Sequence, residues 1–203
     1  MTETAMVYIV DDDDAIRDSL GLLMRSVGLA SRGFESALDF LRGYDPDAHG
    51  CVVADIRMPG LSGLELQEEL NARQARTPLI FITGHGDVPM AVKAMQAGAV
   101  DFIQKPFRDQ DLLDCIHRAL QQDLSARHSE LEKQSVRDKM DALTPREAEV
   151  MEKVVAGCAN KVIALDLGVS QRTVELHRAR VMKKMQVRSL AELVRLVSQT
   201  DED

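Results

Sequence analysis

Five side chains of this sequence carry oxygen or nitrogen at positions where folding would bring them together. Asp11 and Asp12 directly follow the apolar run Val7 to Val10, and Asp55 directly follows Cys51 to Ala54. Thr83 closes the run Leu79 to Ile82, and Lys105, with Pro106 after it, closes Val100 to Gln104. If each run is a strand of one parallel sheet, three carboxylates converge at one edge. Carboxylates about 4 Å apart in a partly dry cleft repel strongly, so such a group holds a hard cation or shifts its proton affinity. An all-oxygen site favours Mg²⁺ or Mn²⁺. A hydroxyl and an ammonium at the same edge meet the charge of a phosphoryl group. The constellation reads as aspartyl-phosphate chemistry with Asp55 as nucleophile. Asp13 and Asp14 read instead as turn or cap residues, with Asp14 capping the first helix.

A second group is basic. Arg172, Arg178, Arg180, Lys183 and Lys184 decorate one helical stretch, with Arg188 just beyond, while Val174, Val181 and Met185 form its apolar stripe with Leu176 nearby. Gly168, Val169 and Ser170 precede it, which is the short Gly-containing turn of a helix-turn-helix. A helix so charged suits phosphates and guanine edges in a major groove.

The elements that must position these residues are legible as two patterns. Before about residue 120, apolar runs alternate with amphipathic stretches: Ile16 to Val27, Leu64 to Leu70, Val88 to Ala97 and a helix from about Asp109, with a weaker strand at Ser31 to Phe34. Strands alternating with helices at this spacing imply an α/β doubly wound five-stranded parallel sheet covered on both faces. Ligands of such sheets bind at the carboxyl ends of the strands, where the acidic residues lie. Gly28 sits where a left-handed residue would end the first helix.

The stretch 121–142 has no Gly or Pro and carries widely spaced apolar residues at Leu124, Leu131, Val136 and Met140. It suits a helical linker extending the preceding helix better than a flexible tether. Beyond it an all-α region of four short helices is expected: Pro145 to Val155, Lys161 to Leu167, Gln171 to Met185 and Leu190 to Val197. Thr144 and Glu147 form a T-x-x-E capping box with Pro145 at the first helical position, and Ser170 suits the third helix as N-cap. The expected division is therefore 1–120, 121–142 and 143–203.

The net charge of −8 is unpromising for a nucleic-acid binder until it is divided along the chain. Residues 1–122 hold 11 basic and 19 acidic side chains, whereas residues 144–200 hold 10 basic and 6 acidic. No stretch of about 18 apolar residues and no basic-then-apolar leader is present, which argues against a membrane span or secretory signal and for a cytoplasmic protein. Cys51, Cys115 and Cys158 are far apart and in no C-x-x-C pair, so reduced buried thiols are expected. The histidines are scattered without metal-ligand spacing.

Residues 6 to about 120 resemble the receiver domain of two-component response regulators. The matching pieces are V-D-D (Val10 to Asp12), D-I-R-M-P-G (Asp55 to Gly60), I-T-G-H-G-D (Ile82 to Asp87), A-M-Q-A-G-A (Ala94 to Ala99) and F-I-Q-K-P-F (Phe102 to Phe107). The resemblance implies strand order 2-1-3-4-5 and phosphorylation of Asp55 by a sensor histidine kinase. It further implies that Asp12, Asp55 and the backbone carbonyl of Arg57 bind Mg²⁺, with Asp11 acting mainly through water. Thr83 and Lys105 would contact phosphoryl oxygens, with the Lys105–Pro106 peptide cis. Thr83 and Phe102 would form the switch, Phe102 lacking the hydroxyl of regulators that carry Tyr there. Arg57 and His85 flank the line of water attack and are expected to tune the lifetime of the phosphoryl group.

Most of the region after Leu143 resembles the LuxR-type (NarL/FixJ) DNA-binding domain, through L-T-P-R-E-A-E-V-M (Leu143 to Met151), G-C-A-N-K-V-I-A (Gly157 to Ala164), L-G-V-S-Q-R-T-V-E-L-H (Leu167 to His177) and K-K-M-Q-V-R-S-L-A-E-L-V (Lys183 to Val194). The family implies that Thr173, Glu175, Leu176, Arg178 and Ala179 face double-stranded DNA, with Asn160, Lys161, Arg172, Lys183 and Arg188 nearer its backbone. Together the two regions resemble a FixJ-type transcriptional regulator that forms a homodimer on phosphorylation, with RNA polymerase as a further partner. Two other classes compete. Aspartyl-phosphate phosphatases of the haloacid dehalogenase type use a similar nucleophile, but place a second Asp where this chain has Arg57. A protein-binding switch would leave the basic helix without a role.

Overall fold

Parallel strand pairing organises the first half of the chain in the computed structural model, which describes residues 5–46, 48–84 and 88–198. The chain divides into two compact units, Met1–Ala126 and Arg127–Asp203. In the first, β1 (Met6–Val10), β2 (Ala30–Phe34), β3 (Gly50–Asp55), β4 (Leu79–Thr83) and β5 (Asp101–Gln104) form one sheet. Its order is β2-β1-β3-β4-β5, as expected for a doubly wound α/β sheet. Every residue of β3 and β4 is buried, which is why their sequences read as unbroken apolar runs rather than alternating ones.

Alternate residues of each strand feed two cores. Tyr8, Val10, Ala54 and Phe81 join Phe34, Phe40, Leu66 and Ala94 on one side. Val7, Ile9, Val53, Ile80 and Ile82 join Leu20, Met24, Leu112 and Ile116 on the other. The covering helices are α1 (Asp14–Ser26), α2 (Ala37–Gly43), α3 (Gly63–Ala72), α4 (Val88–Gln96) and α5 (Asp109–Asp141).

Three local features refine the expectations. The cap of α1 is Asp13, whose carboxylate accepts from the Ala15 N–H at 2.8 Å, and not Asp14, which is the first helical residue and pairs with Arg17. Consecutive aspartates offer equivalent oxygens, and the residue with extended backbone takes the capping role. Gly28 follows α1 with φ +76°, the left-handed conformation expected there. The seven-residue α2 has no counterpart among the expected elements. It is too short to show helical periodicity, and it depends on the Ser36 cap and the fully buried Phe40 ring.

Helix α5 runs without interruption from the first unit into the second. Leu112, Ile116 and Ala119 belong to the first unit's core, while Val136 is buried in the core of the second with Met140 packed against it. Leu124 and Leu131 are exposed. The second unit continues with α6 (Pro145–Val155), α7 (Asn160–Leu167), α8 (Gln171–Lys184) and α9 (Leu190–Ser198), all helical as expected. Val150, Ile163, Val174, Val181, Met185 and Leu193 form its centre. Thr144 and Glu147 make both hydrogen bonds of the capping box, with Pro145 opening α6. Gly168 (φ +66°) ends α7, and Ser170 caps α8 by accepting from the Thr173 N–H. No helix among the described residues is long and apolar enough to cross a membrane.

Candidate functional site

The carboxyl ends of β1 and β3 deliver Asp11 and Asp55 to one point, and Lys105 reaches it from the end of β5. Lys105 Nζ donates to Asp11 Oδ2 at 2.9 Å and to Asp55 Oδ1 at 3.1 Å. The other oxygens are held by the backbone: the Asp13 N–H donates to Asp11 Oδ1 at 2.9 Å, and the Arg57 N–H donates to Asp55 Oδ2 at 2.7 Å. Asp11 is 2% exposed and Asp55 7%, so both carboxylates have little water of their own. Thr83 is buried at the end of β4, and its carbonyl accepts from the Lys105 N–H at 2.8 Å, which ties the lysine's backbone to the strand carrying the hydroxyl. The Lys105–Pro106 peptide is cis.

Burial pushes the Asp55 carboxyl above its ordinary range, and the hydrogen bond and charge of Lys105 offset this only partly, with the charge of Asp11 adding to the rise. Burial would pull the Lys105 ammonium down, but its hydrogen bonds and ion pairs with Asp11 and then Asp55 outweigh this and raise it. Two buried carboxylates thus face one ammonium at the strand ends. The donors are all oxygen, a set that suits a hard divalent cation.

The structure does not gather every expected residue. Asp12 is exposed, and among the described residues no trio of His, Cys, Asp or Glu side chains forms a metal cage. The Arg57 side chain is exposed, and His85 lies outside the described residues. Phe102 is half-buried on β5, packed against the core that contains Phe81 and Ala94.

Gly63 is a site-supporting residue that the motif analysis missed. It opens α3, donates its N–H to the Ile56 carbonyl at 2.9 Å, and approaches so closely that a Cβ there would collide with the Asp55 carbonyl oxygen. The signal was available: Ser62 and Glu65 form an S-x-x-E capping box, and both of its hydrogen bonds are present.

In the second unit, Arg172, Glu175, Leu176, Ala179 and Lys183 form one exposed stripe along α8, opposite Val174 and Val181. Arg178 is half-buried to one side and donates to Asn160 Oδ1 of α7 at 2.7 Å. Thr173 Oγ1 lies 2.8 Å from Ser170 Oγ, within the cap of α8. Lys161 and Arg188 are exposed. Lys184 serves the fold, donating to Glu147 Oε2 at 2.7 Å and to the Ala142 carbonyl at 2.9 Å. That ammonium, with the Thr144 N–H, holds the Glu147 carboxyl down at about 2. Arg146 donates to the Leu167 carbonyl and Lys153 pairs with Asp166, so α6 fixes the far end of α7.

Known proteins share both units. The family model described as the response regulator receiver domain matches residues 7–117, and that of bacterial regulatory proteins of the luxR family matches residues 141–197. The transcriptional regulatory protein FixJ of Bradyrhizobium diazoefficiens is 47% identical over 196 residues, covering 97% of this chain and 96% of that protein. Among solved structures, the response regulator StyR matches with a TM-score of 0.88 and 44% identity, over 97% of this chain and 99% of its own. Full-length FixJ from B. japonicum matches with a TM-score of 0.59 and 46% identity, over 98% of each chain. Family models that match both units, with relatives alike along nearly the whole of both chains, lead to one conclusion: this chain belongs to the two-component response regulators, and is a DNA-binding transcriptional regulator with a LuxR-type output domain.

Proposed function

We propose that Asp55 accepts a phosphoryl group from the phosphohistidine of a sensor histidine kinase, and that this event controls homodimerisation and sequence-specific binding of duplex DNA. The observation that carries this reading is the ammonium of Lys105 held between Asp11 and Asp55 at the carboxyl edge of the sheet. Held by the Arg57 N–H on one oxygen and by Lys105 Nζ on the other, the ionised Asp55 carboxylate is placed to act as the nucleophile. The phosphorus–nitrogen bond of the donor breaks as an Asp55 oxygen forms the new phosphorus–oxygen bond, giving an acyl phosphate. Lys105 Nζ, already within hydrogen-bond reach of Asp55, pairs with a phosphoryl oxygen, and the Thr83 hydroxyl takes another.

Asp12, Asp55 and the Arg57 carbonyl would hold Mg²⁺ (or Mn²⁺), with Asp11 beside them. Bound there, the cation would neutralise phosphoryl charge. Arg57 and His85 then govern how long the acyl phosphate survives. As Thr83 turns toward the phosphoryl group, Phe102 follows it inward, and the face formed by α4, β5 and α5 becomes a dimer surface. A dimer holds two half-sites at once, which raises its effective affinity for the duplex. On the DNA, Glu175, Leu176 and Ala179 face base edges with Thr173 and Arg178 at their flanks, while Asn160, Lys161, Arg172, Lys183 and Arg188 meet the phosphates. The protein works in the cytoplasm, with RNA polymerase as a further partner of the bound dimer.

The test is chemical. Incubation of the full chain with acetyl phosphate and Mg²⁺, followed by peptide mass analysis, should find an alkali-labile phosphoryl group on Asp55 and none in Asp55→Asn. Labelling at another residue, or equal labelling of the variant, contradicts the assignment.

A further inference from the structure

The exposed stripe of α8 contains two side chains that a purely phosphate-binding surface would not carry. Glu175 is an exposed carboxylate in the middle of a basic helix and, among the described residues, is in no ion pair. Leu176 beside it is 51% exposed, although Val174 and Val181 of the same helix are buried. Phosphates repel a carboxylate, and water gives nothing to an exposed leucine. On a helix that faces DNA, both are therefore suited to partners other than the backbone.

The major groove limits what those partners are. Guanine presents two acceptors, thymine an acceptor beside its methyl group, and adenine a donor flanked by the acceptor N7. Cytosine is the base that presents an amino donor and no acceptor of its own in the groove, so it is the one best suited to receive a carboxylate. The thymine C5 methyl group is the apolar surface available to a leucine. Ala179, one turn beyond Glu175, has no bulk to hold the helix away from the base edges. Arg172 and Lys183 stand at either end of the stripe, where they offset the repulsion between Glu175 and the phosphates. Arg178, the guanidinium otherwise best suited to guanine, is half-buried and bound to Asn160.

We propose that Glu175 and Leu176 are the specificity-determining residues of α8, selecting a cytosine and a neighbouring thymine in each half-site. The inference rests on α8 being the helix that enters the major groove.

Selection of bound duplexes from a randomised pool, using the full chain activated with beryllofluoride and Mg²⁺, tests it. The parent protein should enrich cytosine at one position per half-site, and exchange of that cytosine for guanine should weaken binding by about tenfold or more. Glu175→Gln, whose amide donates and accepts, should move the preference at that position to adenine, and Leu176→Ala should lose the neighbouring thymine while keeping the rest of the site. Circular dichroism shows whether either variant is misfolded, and Glu175→Ala, which should flatten the cytosine preference, provides a second variant. Identical selected sites for the parent and all three variants overturn the proposal while leaving the DNA-binding role of α8 intact. Absence of any salt-dependent duplex binding by the parent overturns that role and the proposal together.

Discussion

The side chain of Lys105 stands within hydrogen-bond distance of Asp55, at 3.1 Å, although 50 residues separate them in the chain. Without that ammonium, burial of Asp55 is opposed only by the Arg57 N–H. Lys105→Ala should therefore slow acyl-phosphate labelling at neutral pH by about tenfold or more. It should also move the labelling-versus-pH profile to higher pH, because the carboxyl loses the partner that favours its charged form. Labelling kinetics across pH 4 to 9 check this, and an unshifted profile contradicts the role given to the lysine.

Gly63 sets how closely α3 approaches the end of β3. Gly63→Ala should destabilise the first unit by about 1–3 kcal/mol through overpacking against the Asp55 carbonyl, and should slow labelling of the folded protein. Gly60→Ala meets nothing within 4 Å, so its effect should be confined to the left-handed backbone at φ +79°, about 1–2 kcal/mol. Urea denaturation gives both losses of stability, and acyl-phosphate labelling, slowed in Gly63→Ala alone, separates the mechanisms.

Asn160 and Arg178 are joined at 2.7 Å across the two helices of the DNA-binding motif. Their alanine substitutions should each weaken duplex binding, and the double variant should lose less than the two effects combined, with a coupling of about 0.5–3 kcal/mol. Additive losses in a fluorescence-anisotropy cycle would mean that the side chains contact DNA independently.

Glu147 has a folded-state pKa of about 2, below its ordinary 4.5, owing first to the hydrogen bond from Lys184 and then to that from the Thr144 N–H. A depressed carboxyl contributes stability that is fully present above its unfolded pKa and is lost as pH falls through the folded one. The helical second unit should therefore lose stability between about pH 4.5 and pH 2. Glu147→Gln should flatten that acid dependence and lower the protection of the second unit at pH 7, as read by amide exchange in residues 144–197.

Much of this architecture was legible because strand ends announce themselves. Asp55, Thr83 and Lys105 each close an apolar run, and a parallel sheet aligns such ends at one edge. The helix-turn-helix was equally plain, since Gly168 and Ser170 have distinct backbone and capping roles. Pairings across long sequence separations were not legible. No local pattern reveals that Lys105 bridges Asp11 and Asp55, that Arg178 leans on Asn160, or that His49 Nδ1 lies 2.7 Å from the buried carboxylate of Asp123. Asp13 displaced Asp14 as cap for a smaller reason, since a run of identical residues leaves its own register undetermined.

The central claim is that one covalent event at Asp55 changes how tightly α8 holds DNA. Its most direct measurement is the affinity of the full chain for a selected duplex, with and without beryllofluoride and Mg²⁺, with the dimer fraction followed in parallel. Activation should tighten binding by about tenfold or more and raise the dimer fraction, and Asp55→Asn should show neither change. Equal affinity in both states, or the same gain in Asp55→Asn, would contradict the account.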